Sequence, residues 1–553
     1  MKSCSSVFAN KLGNLAKFFV TKIFCFRQCF RGLILSFIRF LVLQIDPLWN
    51  QLSYFLIISL VGYLVLRISN PRISSFNSRN IDVYFTSVSA LTGSSMSTVE
   101  TEVFSNFQLI VMTILMFIGG EVFISMLGLH ATSKFYSKNQ LFENKINPNN
   151  ASLSSSSPST NSRIIDQIEL GLVSVSNTTH QDPNINNIEN DTFNSSDDDY
   201  NFKYNSIRCL VYVILGYLLV IHVVGSGLVA LYVSLVPSAN QILKQKGLQI
   251  LTFSVFTTVS TFSNSGFVPT NENMMVFKSS SLLLLILLPQ GLFGNTLYPF
   301  FLRLLIWVLK RITNRAEFEY ILKNSKEIVY RHLLSSTHSS FLAATAVGFI
   351  FVQLVLFCAM EWNSGSMEGL NPSEKLVASL FQVVNSRHTG ESVFDLSIVS
   401  PAILVLFVVM MYLPPYTAFL PTKNRGRDST NWKQIKENKN KSFVKNLIFS
   451  QLSYLVIFII LVCITEREKL KTDPLNFNVF NITLEVISAY GNVGFSTGYS
   501  CKRQLKPDDS CKDAWYGFVG RWSNQGKFIL ILVMFFGRIK KFNMKGGKAW
   551  KLS

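Results

Sequence analysis

The sequence predicts an all-α polytopic membrane protein: four helix–pore-loop–helix repeats, eight transmembrane helices in all, around one central pore. Three observations carry that expectation. Composition is the first, since 48% of the 553 residues are hydrophobic and Phe occurs 47 times, more than a soluble chain of ordinary usage carries. The second is that apolar windows of about 18 to 25 residues, the length a helix needs to cross the hydrocarbon core, recur near residues 52–68, 107–128, 207–235, 281–309, 339–360, 397–420, 446–465 and 526–543. The third is Ile81 to Glu100, IDVYFTSVSALTGSSMSTVE, too polar to cross yet held between the apolar runs Leu52 to Leu66 and Leu109 to Leu127. Irregular, hydroxyl-rich backbone is tolerated at membrane depth only where protein buries it or it lines a watery cavity. A re-entrant loop meets that condition, with a short helix dipping in and Thr92-Gly93-Ser94-Ser95 returning. Taken alone, the stretch reads equally as an ordinary extracellular loop.

Repetition favours the re-entrant reading. Phe262 to Phe267 (FSNSGF), Asn385 to Gly390 (NSRHTG) and Ala489 to Phe495 (AYGNVGF) occupy the same place between paired apolar runs. Superposing the four sets Ser95, Gly266, Gly390 and Gly494 at one position, flanked by Gly93 and Ser94, Asn264 and Ser265, His388 and Thr389, and Asn492 and Val493. Internal repeats of membrane proteins place binding sites where the repeats meet.

The net charge of +19 is read from its distribution. Basic residues gather in the N-terminal arm, in Arg303 to Arg331, in Lys423 to Lys445 and in Arg538 to Lys551, all on one side if the spans alternate. The positive-inside rule makes that side cytoplasmic. Both termini are then inside, the pore loops enter from outside, and the charge reports topology with no role for nucleic acid.

In chain order, residues 1–50 form a basic cytoplasmic arm without a small-residue cleavage site, so the first span is expected to serve as its own insertion signal. The stretch Leu33 to Leu43 reads as lying along the inner leaflet or as plain tail. Repeat 1 covers 51–135 with its pore loop at 82–98, and Glu121 in its second span is either functional or a charge at the membrane boundary. Residues 136–203, Asn- and Ser-rich with Asp197 to Asp199, are expected to be a disordered cytoplasmic linker, which leaves its sequon at Asn177 unglycosylated.

Repeat 2 covers 204–310 with its pore loop at 250–268, and His222 in its first span is expected to be a packed helix residue. After a basic linker, 311–337, repeat 3 covers 338–420 with its pore loop at 374–391. Pro414-Pro415 either bends its last helix beneath the pore or ends it early. A second basic linker, 421–445, leads to repeat 4, 446–553, with its pore loop at 480–496. Asn481 is the favoured glycosylation site, and Cys501 with Cys511 a candidate external disulfide. The other cysteines, Cys4, Cys25, Cys29, Cys209, Cys358 and Cys463, show no metal-ligand spacing. Arg538 reads either as a snorkelling anchor or as a charge at the inner mouth of the pore.

The pore segments SSMSTVE, TFSNSGFVPTNENM, FQVVNSRHTGE and EVISAYGNVGFSTGYS, with the runs SPAILVLF and MMYLPPYT, resemble the plant HKT transporters of the Trk/Ktr/HKT superfamily. The resemblance covers nearly all of residues 50–550 apart from the acidic linker. It implies four helix–pore-loop–helix repeats around one permeation path, a homodimer with one pore per subunit, and Ser95, Gly266, Gly390 and Gly494 as the selectivity-filter positions. It further implies a sodium-selective uniporter of the plant plasma membrane that retrieves sodium from the transpiration stream. In that family serine at the first filter position accompanies sodium selectivity, and glycine accompanies potassium transport or sodium–potassium cotransport. Gly93 departs from the valine commoner in close relatives, which leaves the rigidity of its loop open.

Residue chemistry is compatible with this. Glycine brings carbonyl oxygens close to an ion, and a ring of carbonyls can replace its hydration shell. One serine breaks the ring's symmetry, which should handicap a larger ion that needs many evenly placed oxygens. The sequence holds no phosphate-binding loop, no nucleotide-binding fingerprint and no regularly spaced intramembrane arginines, so passive transport is expected, without cofactor or structural metal. The alternatives are a potassium transporter or sodium–potassium symporter, an enzyme using His222, His388 and Glu121, and a receptor or scaffold with vestigial loops.

Overall fold

The computed structural model describes residues 47–73, 79–146, 191–325, 327–328, 330–418, 451–505 and 511–543. The N-terminal arm up to residue 46 with Cys4, Cys25 and Cys29, linker residues 147–190, the basic linker 421–445 and the tail from 544 lie outside them.

Among the described residues the secondary structure is helical. In chain order the helices are α1 (Pro47–Ile68), α2 (Asn80–Thr92), α3 (Asn106–Gly119), α4 (Glu121–Ile146), α5 (Asp191–Leu235), α6 (Pro237–Gln245), α7 (Ile250–Phe262), α8 (Ser281–Gly294), α9 (Tyr298–Thr313), α10 (Ala316–Lys323), α11 (Ser336–Glu361), α12 (Pro372–Asn385), α13 (Pro401–Tyr412), α14 (Gln451–Thr465), α15 (Arg467–Thr472), α16 (Val479–Gly491) and α17 (Asn524–Asn543). Several starts are written in the sequence. Ser105 and Gln108 form a capping box before α3, Asn371 and Glu374 another before α12, and Pro372 and Pro401 stand in first turns, where a missing N–H costs nothing.

Four expectations are corrected. The linker is shorter than 136–203, because α4 runs on to Ile146 and α5 begins at Asp191; once a span nucleates a helix, extension into polar sequence costs little. The second span breaks at Gly120, and the fourth at Asn295 to Leu297, after α8 with its internal Pro289. The sixth ends at Tyr412, because Pro414-Pro415 cannot continue it; of the two readings of that pair, early termination holds. Three described helices are long and apolar enough to cross a membrane, or five if each bent pair is one span. α13 stops short, and α17 carries Lys527, Arg538 and Lys540 within its twenty residues.

The chain divides into two compact units, residues 1–124, 220–300 and 337–553, and residues 125–219 and 301–336. In the second, Ser125 Oγ lies 2.7 Å from His332 Nε2, and Arg303 donates to the carbonyls of Leu334 and Leu322 at 2.9 and 3.3 Å.

The first unit holds α2, α7, α12 and α16, one per repeat. Each packs against the second span of the repeat before it: α3 on α7, α8 on α12, α13 on α16, and α17 back on α2. Between them lies an aromatic core that includes Phe85, Phe253, Phe381, Phe407, Phe495 and Phe518, all essentially without exposure. Three glycines let these spans close in on the short helices. A Cβ at Gly119, Gly294 or Gly537 would run into the carbonyl of Leu91, Phe262 or Tyr490 respectively, each four residues before the position aligned in the sequence.

Candidate functional site: a ring of four backbone turns

All four aligned residues adopt positive φ: 54° at Ser95, 64° at Gly266, 72° at Gly390 and 106° at Gly494. Only glycine enters that region without cost, so Ser95 is the strained member. Two residues earlier, Gly93, Asn264 and Asn492 also have positive φ, at 68°, 54° and 47°. The next residue's N–H then reaches back five residues: Ser94 to Ser89 at 3.0 Å, Ser265 to Ser260 at 2.8 Å and Val493 to Ser488 at 3.1 Å. This is how a helix ends on a left-handed residue, normally Gly and sometimes Asn. Gly93 therefore suits its place, and the doubt over its loop resolves toward a well-formed turn.

Repeat 3 differs. His388 has no positive φ, its Nδ1 lies 2.6 Å from the Val384 carbonyl, and the five-residue return is made one position later, by Gly390 to Asn385 at 3.0 Å.

The four turns interlock in sequence order. A Cβ on Gly266 would strike the Thr389 carbonyl, and one on Gly390 would strike the Val493 carbonyl. On Gly494 it would strike the Ser95 side chain and come within 2.8 Å of the Ser94 carbonyl. Three of the four places thus exclude any side chain. Ser95 has one, and its Oγ would stand 2.9 Å from a Cβ on Gly266.

The preceding hydroxyls brace the ring through hydrogen bonds. Ser94 Oγ accepts from Asn492 Nδ2 and pairs with Thr92 Oγ1, both at 2.8 Å, and Thr389 Oγ1 donates to Asn385 Oδ1 at 2.7 Å. Ser265 Oγ reaches the Ala90 carbonyl at 3.4 Å.

Above the ring lies a cavity of about 350 Å³ lined by all four residues and by the carboxylates of Glu100, Asp395 and Asp513. A cleft lined by one sign of charge raises the local concentration of the opposite ion. Cys501 and Cys511 are bonded to each other, and the Cys501 N–H donates to Asp513 Oδ1 at 2.7 Å. Asn481 sits in the first turn of α16 with its side-chain amide donating to the Asn476 carbonyl at 2.8 Å.

Arg538 is 2% exposed, and its guanidinium donates to the Gly119 carbonyl at the broken end of α3. Burial within the protein removes the snorkelling-anchor reading. Tyr54 Oη donates to the carbonyl of Ile118, the residue before Gly119, at 2.8 Å. His222 is packed edge-on between Phe117 and Phe262, with ring centroids 5.2 and 4.8 Å away.

Sequence reasoning missed several charged residues of this unit. Lys527 Nζ meets Asp82 Oδ1 at 2.7 Å in a buried pair. Glu391, fully buried beside Gly390, accepts from Thr261 Oγ1 at 2.6 Å, and Glu485, also fully buried, accepts from the Val519 N–H at 3.1 Å. Arg387 donates from Nη2 to the carbonyls of Pro414 and Pro415 at 2.6 and 3.3 Å. A lone charge in an apolar run was the available signal for Lys527 and Glu485, whereas Arg387 and Glu391 stand four apart in the same polar segment.

Residues 190–543 match the family described as TrkH, cation transport protein. The chain is 47% identical over 557 residues to a cation transporter, HKT1;3, of Oryza sativa subsp. japonica, covering all of both chains. It is 52% identical over 489 residues to the sodium transporter HKT1 of Arabidopsis thaliana, covering 88% of this chain and 91% of that one. A crystal structure of the potassium transporter TrkH from Vibrio parahaemolyticus aligns with a TM-score of 0.47 at 12% identity, over 90% of this chain and 83% of that one.

Proposed function

Because this chain belongs to the TrkH family of cation transport proteins, and within it to the plant HKT cation transporters, we propose that it is a sodium-selective, channel-like uniporter. It is a multi-pass membrane transporter and not an enzyme. Ser95, Gly266, Gly390 and Gly494 are its filter, sodium is the transported ion, and no cofactor takes part. The carrying observation is Ser95, a residue with a side chain in a ring whose other members have no room for one.

A sodium ion drawn into the outer cavity by Glu100, Asp395 and Asp513 exchanges water for backbone carbonyls and the Ser95 hydroxyl. The turns are held by Asn492, Thr389 and the helix ends, so the oxygens are already in place. A larger ion asks for more oxygens, evenly spread, and the hydroxymethyl group takes up part of that space. The membrane potential supplies the drive, about 2.3 kcal/mol per charge per 100 mV.

The same reading puts both termini in the cytoplasm, the protein in the plasma membrane as a homodimer with one pore per subunit, and its physiological work in sodium retrieval from xylem. Arg538, below the ring, is the inner barrier to cations, and Asn481 the external glycosylation site.

The test is two-electrode recording in oocytes. Wild-type reversal potentials should follow external sodium and ignore potassium, and Ser95→Gly should admit potassium. A wild type that follows potassium equally overturns the sodium assignment and favours the potassium-transporting alternative.

A further inference from the structure

A second, much smaller cavity lies where α13 stops. It measures about 30 Å³ and is bounded by Tyr412 and Pro414-Pro415, by Tyr490 at the end of α16, and by Gly537 on α17; Arg387 and Lys540 both line it. Two cationic side chains therefore share one small space in a protein whose cargo is cationic.

Arg387 is 8% exposed, and its position follows from the local chain. It stands just past the end of α12, and the carbonyls of Pro414 and Pro415, left over where α13 terminates, take its Nη2. The guanidinium lies over the Phe349 ring at 5.3 Å. Its Nε and Nη1 have no hydrogen-bond partner, although a guanidinium carries five donors. Carbonyl dipoles and one ring face give this charge partial compensation only. Among the described residues no carboxylate forms an ion pair with Arg387 or Lys540.

An unpaired charge removed from water is expensive, which applies to Arg387; Lys540, partly exposed at the same cavity, adds like-charge repulsion. Unused donors, positive charge and a cavity in one place define the missing component: a small anion that accepts from Nε and Nη1 and faces Lys540.

We propose that this cavity binds a single halide-sized anion, chloride under ordinary conditions, held by Arg387 and Lys540. The innermost space suits a water-sized guest, which favours a monatomic anion; a headgroup reaching in from outside is the competing occupant. The bound anion neutralises the charge beneath the end of α12 and fixes Arg387 between the filter turn of repeat 3 and the end of α13. This inference concerns a separate site and does not depend on which cation the filter selects.

The test uses the full chain in nanodiscs of neutral phosphatidylcholine, with sodium concentration and ionic strength fixed while chloride is exchanged for gluconate. The thermal midpoint should be higher in chloride, bromide should restore it, and crystals grown in bromide should show anomalous density in the cavity. Lys540→Gln should weaken the apparent halide affinity roughly tenfold or more, the worth of one hydrogen bond to a charged group. Arg387→Gln should abolish the halide dependence; if that variant does not fold, the Lys540→Gln titration decides alone. Lys310→Gln, at a lysine paired with Glu319, should behave as wild type. Equal midpoints in chloride and gluconate, or a halide titration unmoved by Lys540→Gln, overturn the proposal. So does stabilisation that appears only with anionic lipid and regardless of halide, which would make the occupant a headgroup.

Discussion

Repeats 1 and 3 bring the same kind of short helix to the same ring, and they hold it differently. In repeat 1 the supports of α2 come from far along the chain: Lys527 pairs with Asp82 in its first turn, and Asn492 donates to Ser94 just past its end. Gly119 of its own repeat lies against its last carbonyls. In repeat 3 the supports of α12 lie close by. Asn371 and Glu374 form a capping box, Lys375 Nζ donates to the Trp362 carbonyl at 2.9 Å, and Gln382 Oε1 accepts from the Val393 N–H at 2.9 Å. An ion pair and a side-chain hydrogen bond from distant sequence, with close backbone approach, serve one repeat, and short-range hydrogen bonds serve the other. Equivalent positions in a pseudo-symmetric ring therefore need not be equivalent in energy.

The largest expected effect breaks the repeat 1 arrangement at its charge pair. Lys527→Met leaves Asp82 buried without a partner and should cost about 3–5 kcal/mol, seen as lost surface expression and a lowered thermal midpoint. The double change Lys527→Met with Asp82→Leu should recover most of it. Asn371→Ala, the counterpart in repeat 3, removes one cap and should cost only ~1 kcal/mol; equal losses from the two would dissolve the contrast.

A smaller effect is expected from Gly119→Ala, whose new Cβ meets the Leu91 carbonyl. Overpacking of this kind costs about 1–3 kcal/mol, and the displaced carbonyl lies four residues before Ser95. Cation conductance should fall at matched surface expression. An unchanged current–voltage relation would mean that the close approach serves packing alone.

The smallest effect concerns the link between repeats 1 and 2, where Lys246 Nζ lies 2.5 Å from both Glu102 and Glu272. Burial pulls its pKa down, but the hydrogen bonds and charges of the two carboxylates push it above the ordinary 10.5. A raised folded value means that the contribution to stability is complete below the ordinary pKa and is lost as pH rises through the folded one. The stability difference between wild type and Lys246→Gln should thus stay flat through neutral pH and shrink only in strong alkali. A difference that shrinks on acidification would assign the effect to the glutamates.

The ring was legible in the sequence because its determinants are local. A left-handed helix end selects Gly or Asn, which is why Gly93, Asn264 and Asn492 aligned two places before Ser95, Gly266 and Gly494. His388 broke that pattern, and its turn indeed has a different backbone. What escaped is non-local. Asp82 and Lys527 are 445 positions apart, and nothing near either names the other. The carbonyls that receive Arg538 and Arg387 become available only because α3 and α13 stop where they do, at Gly119 and Tyr412. Hydropathy windows run through both breaks, since Gly119-Gly120 carry no polar side chain and Leu413 is as apolar as the helix it ends.

The packing of each second span on the next repeat's short helix also orders events in time. Repeats 1, 2 and 3 can meet as the chain emerges, but the partner of α2 is α17. Lys527 and Arg538, which lock onto Asp82 and Gly119, are synthesised after every other helix of the ring. Until they arrive, the Asp82 carboxylate lacks its ammonium, and the first helix of the ring has an open flank. A ribosome that stops before α17 leaves an unclosed circle, so biogenesis itself separates finished pores from unfinished ones.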